Sequence, residues 1–299
     1  MKFAFSPTPW LCATLFALAA GSVQAGPTLE RIKSSGTITL GYRAGGAPFS
    51  YEKGGEVIGY SIDVCRSVAQ AIQQQLQLPK LDIRYQPVTT GQRVDQIQKG
   101  TIDIECAGST NTKARREQVA FGLTYFYAGA RLLVREGSGI QSLNDLKGKK
   151  VVLIKGTTAQ QVVEMRQRQG SVDWNVQVMD STRAGAEAVQ QGKADAVVQD
   201  DVQLVPLARQ LGKPLTVVGT PLTVEPLSLM FDKTDSELRT MVVNEMSRLY
   251  REGEINRIYD RWFRSPLPGH AYNLDMDVNP LLRDNFRRPS TYVADWVVL

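Results

Sequence analysis

The sequence predicts an α/β protein made of two lobes, and three observations lead to that fold class. Short apolar stretches typical of strands alternate with amphipathic stretches typical of helices along most of the chain. This alternation runs in two series, the second of which begins after residues 131–135. The chain beyond residue 25 is also long enough for two domains of ordinary size. We therefore expect each lobe to hold a mostly parallel sheet flanked by helices.

Residues 1–25 are predicted to be a signal peptide that takes no part in the fold. Lys2 precedes an apolar core at 10–20, and Val23-Gln24-Ala25 fits a small-x-small cleavage pattern. The core is too short to span a bilayer, and no later segment approaches the roughly 20 apolar residues that spanning needs. We expect an exported, soluble protein whose mature chain begins at Gly26.

Charge and composition exclude several classes of function. The formal net charge of +5 is spread along the chain, without the run of basic and aromatic residues that favours nucleic-acid binding. His270 is the only histidine, so we expect no zinc site, no Ser-His-Asp triad and no cofactor. Cys12 leaves with the signal peptide, and Cys65 and Cys106 could then form a disulfide or remain buried thiols.

The first series places polar residues at the ends of predicted strands. Ser61 or Asp63 would cap its long helix, and Thr90 would cap the next one. The predicted elements are helix 29–33, strand 37–43, helix 62–77, strand 81–88, helix 92–99 and strand 102–106.

The carboxyl ends of these strands carry the candidate binding residues. Ligands bind outside the carboxyl ends of strands in open α/β sheets, so these residues should share one rim. Gly108 lets a ligand approach the backbone, Thr110 offers a hydroxyl and an N–H, and Arg115 offers a planar fork of donors suited to a carboxylate. The alternative is a capped surface helix with solvated arginines. The first-series candidates are Arg43, Thr90, Arg93, Gly108, Thr110 and Arg115.

The second series repeats this arrangement with different chemistry. Thr158 lies where a helix begins, so free N–H groups should point at the rim. Asp200 and Asp201 follow a strand, and the spacing alone does not say which of them faces the rim; we favour Asp200. The predicted elements are helix 143–146, strand 150–155, helix 159–169, strand 174–179, a helix from 182 and strand 194–198.

The chain should cross between the lobes twice, near 125–131 and near 220–229. A helical stretch at 235–263 returns to the first lobe, and an irregular tail follows. The predicted divisions are 1–25 signal peptide, 26–127 first lobe, 128–222 second lobe, 223–268 return segment and 269–299 tail.

Seven motifs, in this order and spacing, make residues 28–268 resemble the polar-amino-acid family of periplasmic solute-binding proteins, most of all its glutamate/aspartate-binding type. They are GYR at 41–43, PFSY at 48–51, GYSID at 59–63, GTIDI at 100–104, RREQVAF at 115–121, DLKGKKV at 145–151 and GTT at 156–158. Arg43, Arg93, Glu105-Cys106 and Trp262-Phe263 also fit that type. The resemblance implies a type II periplasmic binding protein fold with a two-strand hinge, in a monomer that delivers an amino acid to an ABC permease.

The resemblance also implies a role for each candidate. Arg115 would receive the α-carboxylate of the ligand, together with the N–H groups of Thr110 and Thr158. The α-ammonium would be bound by the Gly108 carbonyl, the Thr110 hydroxyl and Asp200.

Arg43, Arg93 and Thr90 match positions that bind a side-chain carboxylate in members specific for acidic amino acids. L-Glutamate and L-aspartate are therefore the expected ligands. Thr182 stands where such members have a histidine, so the preference among these acids and their amides stays open. Phe49 and Tyr51 could cover the aliphatic part of the ligand.

Two alternatives remain from the sequence. The first is an exported enzyme resembling the cyclohexadienyl dehydratases, which would need a general acid or base. The second is a binding protein for another polar amino acid, such as glutamine or asparagine. We expect a periplasmic protein without catalytic activity.

Overall fold

The computed structural model describes residues 1, 26–212 and 214–291. Most of the predicted signal peptide, 2–25, and the end of the predicted tail, 292–299, lie outside the described residues. Within the described ranges, no helix is both long enough and apolar enough to cross a membrane.

The described residues form fourteen strands and ten α-helices. The strands are β1 (Thr37–Tyr42), β2 (Gly45–Gly46), β3 (Ser50–Lys53), β4 (Glu56–Ile58), β5 (Asp82–Pro87), β6 (Ile104–Thr110), β7 (Ala120–Phe121), β8 (Phe126–Ala128), β9 (Ala130–Arg135), β10 (Lys150–Ile154), β11 (Asn175–Met179), β12 (Ala196–Asp200), β13 (Leu215–Val218) and β14 (Glu225–Phe231). The helices are α1 (Pro27–Ser35), α2 (Tyr60–Gln75), α3 (Arg93–Gln98), α4 (Lys113–Arg116), α5 (Thr158–Arg168), α6 (Thr182–Gln190), α7 (Asp201–Leu211), α8 (Ser236–Arg251), α9 (Glu254–Tyr259) and α10 (Pro280–Arg287). A 3-10 turn lies at Leu143–Leu146 and a π-helical turn at Asp260–Arg264.

Two sheets define two lobes. The first has the order β5-β1-β6-β14-β7, with β8 also paired to β14, and the second has the order β11-β10-β12-β9-β13. In each sheet three neighbouring strands are parallel, while the strands nearest the crossings pair antiparallel. The sheets are thus more mixed than the alternation of elements predicted.

Helical periodicity explains how α2 covers the first sheet. Val64, Val68 and Ile72 recur at intervals of four residues, and all three are fully buried. Cys65 on the same helix forms a disulfide with Cys106 of β6, which decides between the two alternatives left by the sequence.

Between the lobes the chain passes through a short paired segment. Glu225 of β14 pairs with Ala128 of β8, and Gly129 follows directly. Asp201 of the second lobe makes two hydrogen bonds to this segment. Its N–H donates to the Gly129 carbonyl, and its carboxylate accepts from the Gly129 N–H at 3.3 Å.

Several local predictions were wrong. Strand β6 continues to Thr110 instead of ending at residue 106, so Gly108 and Thr110 lie within it. Helix α2 begins at Tyr60, before both predicted caps, Ser61 and Asp63, and Ser61 instead donates to the carbonyls of Phe49 and Cys106. Thr90 does not cap α3, whose N-cap residue is Gln92.

Two further predictions failed near the C-terminus. The helical stretch 235–263 is interrupted at Gly253, which adopts a left-handed conformation between α8 and α9. The tail was predicted to be irregular, yet Asn279 caps the helix α10, and Leu282 and Phe286 pack into the first lobe.

Phe49 and Tyr51 are packing residues and do not line the candidate cavity described below. Phe49 is fully buried among Tyr60, Tyr125 and Phe263, whose ring centres all lie 6.2–6.3 Å from that of Phe49. The structure favours this packing role over the suggested cover for a ligand.

Candidate functional site

All eight predicted binding residues line one small cavity between the two lobes. The free space inside it is only about 10 Å³, close to what a single water molecule needs. The two lobes lie almost in contact here, and an amino acid would fit only after they move apart. The lining residues are Arg43, Thr90, Arg93, Gly108, Thr110, Arg115, Thr157, Thr158, Gln199, Asp200 and Gln203.

Arg115 is placed by the short helix α4, which Thr112 caps by accepting from the Arg115 N–H. Its Nη1 donates to the Thr110 carbonyl at 2.8 Å, and its Nη2 donates to the Gly156 carbonyl at 3.0 Å. Since Gly156 follows β10, this guanidinium bridges the two lobes.

Arg93 is the first residue of α3 and is only 3% exposed. Its Nη2 also donates to the Gly156 carbonyl, at 3.4 Å, while its Nε is buried without a hydrogen-bond partner among the described residues. Burial and the nearby Arg115 and Arg43 lower the pKa of Arg93, although a guanidinium remains charged at neutral pH.

Arg43 follows β1 directly, at the same edge of the sheet. Its Nη2 lies 3.1 Å from Glu105 Oε1, 3.2 Å from Ser109 Oγ and 3.4 Å from the Gly108 carbonyl. As in Arg93, the Nε of Arg43 is buried and has no partner among the described residues.

Two glycines of this site lie where a side chain would collide with its neighbours. A Cβ on Gly108 would lie 2.9 Å from a ring carbon of Phe49. Gly156 has a φ of +76°, and a Cβ there would lie 3.0 Å from the Cα of Gly91 and 3.1 Å from the Thr90 carbonyl oxygen. Larger side chains at these positions would therefore push the cavity wall or the two lobes apart.

Asp200 supplies the carboxylate of the second lobe. It ends β12, is buried, and makes no side-chain hydrogen bond to another described residue. Burial raises its pKa to about 8, and the nearby Glu225 and Asp201 add to the rise, while Arg43 and Arg115 oppose it.

The neighbouring Asp201 faces elsewhere. Its carboxylate accepts from the N–H groups of Gly129 and Val202, so it serves the segment between the lobes and the start of α7. This geometry favours Asp200 over Asp201 as the residue that meets a ligand.

The threonines of the cavity belong to three different elements. Thr110 ends β6, Thr90 precedes α3, and Thr158 is the first residue of α5. Thr157 caps α5 by accepting from the Gln160 N–H, which leaves the N–H of Thr158 free of an intrahelical partner. The residues predicted to contact a ligand thus come together, and their contact with a ligand stays a prediction.

Sequence reasoning missed Thr157, Gln199 and Gln203 in the cavity wall and the role of Glu105 behind it. Gln203 lies in the first turn of α7, a helix that was not predicted, although a helix following a strand is the signal that identified the other candidates. Gln199 Nε2 donates to Thr182 Oγ1 at 3.3 Å, so Thr182 lies beside the cavity wall.

No cluster of three or more His, Cys, Asp or Glu side chains able to hold a metal ion occurs in the part of the chain that the structure describes. The cavity instead combines three guanidinium groups, one carboxylate and helix N–H groups. Such a set can bind an anion and an ammonium together.

Comparison with known proteins identifies a family and several relatives. The model of the bacterial extracellular solute-binding proteins, family 3, matches residues 38–265. The L-glutamate/L-aspartate-binding protein of Pseudomonas aeruginosa is 35% identical over 272 residues, 90% of either chain. The glutamate/aspartate import solute-binding protein of Salmonella typhimurium is 30% identical over 273 residues, again 90% of either chain.

A solved structure supports the fold. The P235GK mutant of ArgBP from T. maritima superposes with a TM-score of 0.72 and 24% identity, covering 80% of this chain and all of that one. At that identity the likeness concerns the fold alone, which is the predicted two-lobed type II fold of periplasmic binding proteins.

Proposed function

The chain belongs to family 3 of the bacterial extracellular solute-binding proteins, and from that premise we propose that it captures L-glutamate and L-aspartate for an ABC-type importer. The Pseudomonas and Salmonella relatives carry that specificity in their names. The charges of the cavity supply an independent argument.

One observation carries the proposal: Arg43 and Arg93 both hold a buried Nε–H that has no acceptor among the described residues. A buried donor without a partner costs roughly 1–3 kcal/mol, and more when the group is charged. Both donors belong to residues of the cavity wall, where a ligand carboxylate could accept from them. A second carboxylate beyond that of the amino-acid backbone is what distinguishes the acidic amino acids.

The other half of the proposed site would bind the α-amino and α-carboxylate groups. Arg115 would donate to the α-carboxylate together with the N–H groups of Thr110 and Thr158. Asp200 would pair with the α-ammonium beside the Gly108 carbonyl and the Thr110 hydroxyl. Thr90 would assist Arg43 and Arg93 at the side-chain carboxylate.

Binding would favour the closed arrangement because the ligand touches both lobes. Arg43, Arg93 and Arg115 come from one lobe, and Thr158 and Asp200 come from the other. We propose that the protein works as a monomer in the periplasm, after export by residues 1–25, and meets the permease of its importer in the closed form.

An enzymatic alternative of the dehydratase type has one feature in its favour. The pKa of Asp200, raised to about 8, would allow this carboxyl to donate a proton near neutral pH. Turnover of prephenate or arogenate would support that alternative. We expect neither, because the same carboxyl is the proposed partner of the ligand ammonium.

Isothermal titration calorimetry with matched ligands tests the proposal. L-Glutamate and L-aspartate should bind most tightly, L-glutamine should bind more weakly, and glutarate, which lacks the ammonium group, should lose the contribution of Asp200. A thermal-shift panel of the twenty amino acids extends the comparison, since binding to the folded state raises its apparent stability. A protein that prefers a cationic or apolar amino acid would contradict the proposal.

A further inference from the structure

The two arginines proposed for the side-chain carboxylate are neutralised in different ways. Arg43 forms an ion pair with Glu105 at 3.1 Å. Arg93 forms no ion pair with a described carboxylate, and its hydrogen bond goes to the neutral carbonyl of Gly156. Of these two arginines, Arg93 is therefore the one that keeps a full charge without a bonded counter-ion.

Glu105 lies behind the cavity wall and does not line the cavity. Its side chain is 0% exposed, its Oε1 accepts from Arg43, and its Oε2 has no hydrogen-bond partner among the described residues. A carboxylate buried this completely needs a cation beside it, and Arg43 is the one bonded to it. A ligand in the cavity would meet Arg43 but not Glu105.

Arg43 is also oriented by this contact. Its Nη2 reaches Glu105, Ser109 and the Gly108 carbonyl, all of them on β6. The hydroxyl and the carbonyl are neutral acceptors, so Glu105 supplies the charged part of the anchor. The guanidinium is thereby held at the rim whether or not a ligand carboxylate is present.

We propose that Glu105 is an internal counter-ion and positioning residue for Arg43, and that discrimination between a carboxylate and an amide on the ligand side chain depends mainly on Arg93. This inference rests on the proposed function and deepens it. With an amide ligand such as glutamine, Arg43 stays paired with Glu105, and of these two arginines only Arg93 is left without a charged partner. Two arginines without counter-ions would prefer glutamate over glutamine strongly, and Glu105 reduces that preference by neutralising Arg43.

The test is the ratio of the dissociation constants for L-glutamine and L-glutamate, measured by calorimetry on the wild type and the Glu105→Gln variant. Loss of the counter-ion charge should raise that ratio about fivefold or more, because Arg43 then gains more from a ligand carboxylate than from an amide. The double variant Arg43→Gln/Glu105→Gln removes the pair together and should keep the ratio within about threefold of the wild type. Arg93→Gln should lower the ratio by about tenfold or more.

Glu245→Gln is the matched control. Glu245 is another buried carboxylate paired with an arginine, Arg248, but it lies on α8 outside the cavity. The ratio should not change in this variant.

Each outcome decides one claim. Equal weakening of both ligands in Glu105→Gln would show a purely structural role and overturn the inference. If Glu105→Gln does not fold, the double variant takes its place in the test. A drop in the ratio of dissociation constants as large in the double variant as in Arg93→Gln would then overturn the inference. A wild type that binds no acidic amino acid would refute the proposed function itself, and this inference with it.

Discussion

The two rims of the cleft carry opposite chemistry. The rim of the first lobe presents three guanidinium groups, from Arg43, Arg93 and Arg115. The second lobe presents the Gly156 carbonyl, the start of α5 and one carboxylate, Asp200. The first rim can therefore select for ligand charge, while the second mainly supplies the groups that make closure favourable.

Two hydrogen bonds between the rims end on the same atom. Arg93 and Arg115 both donate to the carbonyl of Gly156, so two cations of the first lobe share one acceptor of the second. Two of the arginines proposed to bind the ligand thus also take part in contact between the lobes. Substitutions on the two rims should consequently differ in what they change.

The largest effect is expected from Arg115→Ala. This variant loses the proposed partner of the α-carboxylate and a hydrogen bond across the cleft at 3.0 Å. Affinity for L-glutamate should fall roughly 30-fold or more, which corresponds to about 2–5 kcal/mol. Calorimetry measures the loss, and Arg239→Ala, which removes an exposed arginine of α8, should bind as the wild type does. Unchanged affinity in Arg115→Ala would remove Arg115 from the site.

The second rim should make glutamate binding depend on pH through Asp200. Below its pKa of about 8 the carboxyl is protonated, and pairing with the ligand ammonium favours the ionised form. Binding at pH 7 should therefore release about one proton, and affinity should rise by less than tenfold per pH unit between pH 6 and 8. The neighbouring charges that act on this group are Glu225, Asp201, Arg43 and Arg115.

Titrations in phosphate and in Tris measure this release, because the two buffers differ in ionisation enthalpy. Asp200→Asn should bind more weakly and show no dependence on the buffer. Heats that agree in both buffers for the wild type would contradict the assignment of Asp200.

The sequence predicted the rims well for a physical reason. Arg43 and Thr110 lie at the carboxyl ends of β1 and β6, which are parallel neighbours. Parallel strands bring their carboxyl ends to one edge, so sequence position alone places such residues together. The same rule predicts the position of Asp200, at the carboxyl end of β12 in the second sheet.

The contacts behind the rim could not be predicted in this way. The pair Arg43–Glu105 joins the residue that follows β1 to a residue of β6, and which side chains meet depends on the register of the two strands. Thr90 resembled a helix cap, but the turn before α3 places Gln92 at that position instead. The helix α10 was missed because its eight residues follow a long irregular stretch, although Asn279-Pro280 is a helix-start signal.

The lobes also touch outside the cavity. Unlike the hydrogen bonds to the Gly156 carbonyl, this second contact involves no residue that lines the cavity. The segment 266–274, where the return segment passes into the tail, is attached to the first lobe through Tyr51, whose hydroxyl donates to the Pro268 carbonyl at 2.7 Å. Tyr272 then donates to the Pro206 carbonyl of α7 at 3.1 Å. The Arg209 guanidinium lies 5.3 Å from the centre of the Tyr272 ring and also donates to the Asn273 carbonyl.

The smallest effect is expected when this tail contact is weakened. In Arg209→Ala/Tyr272→Phe the cation–π contact and both hydrogen bonds to the tail are lost, which should reduce the closed population and lower glutamate affinity about threefold. The ratio of glutamine to glutamate affinity should stay constant, since neither side chain lines the cavity. Arg261→Ala, which removes an exposed ion pair with Asp63 within the first lobe, is the control and should change neither quantity. A shift in the ratio would mean that α7 transmits the change to Gln203 and the rim, and the separation between selection and closure would then fail.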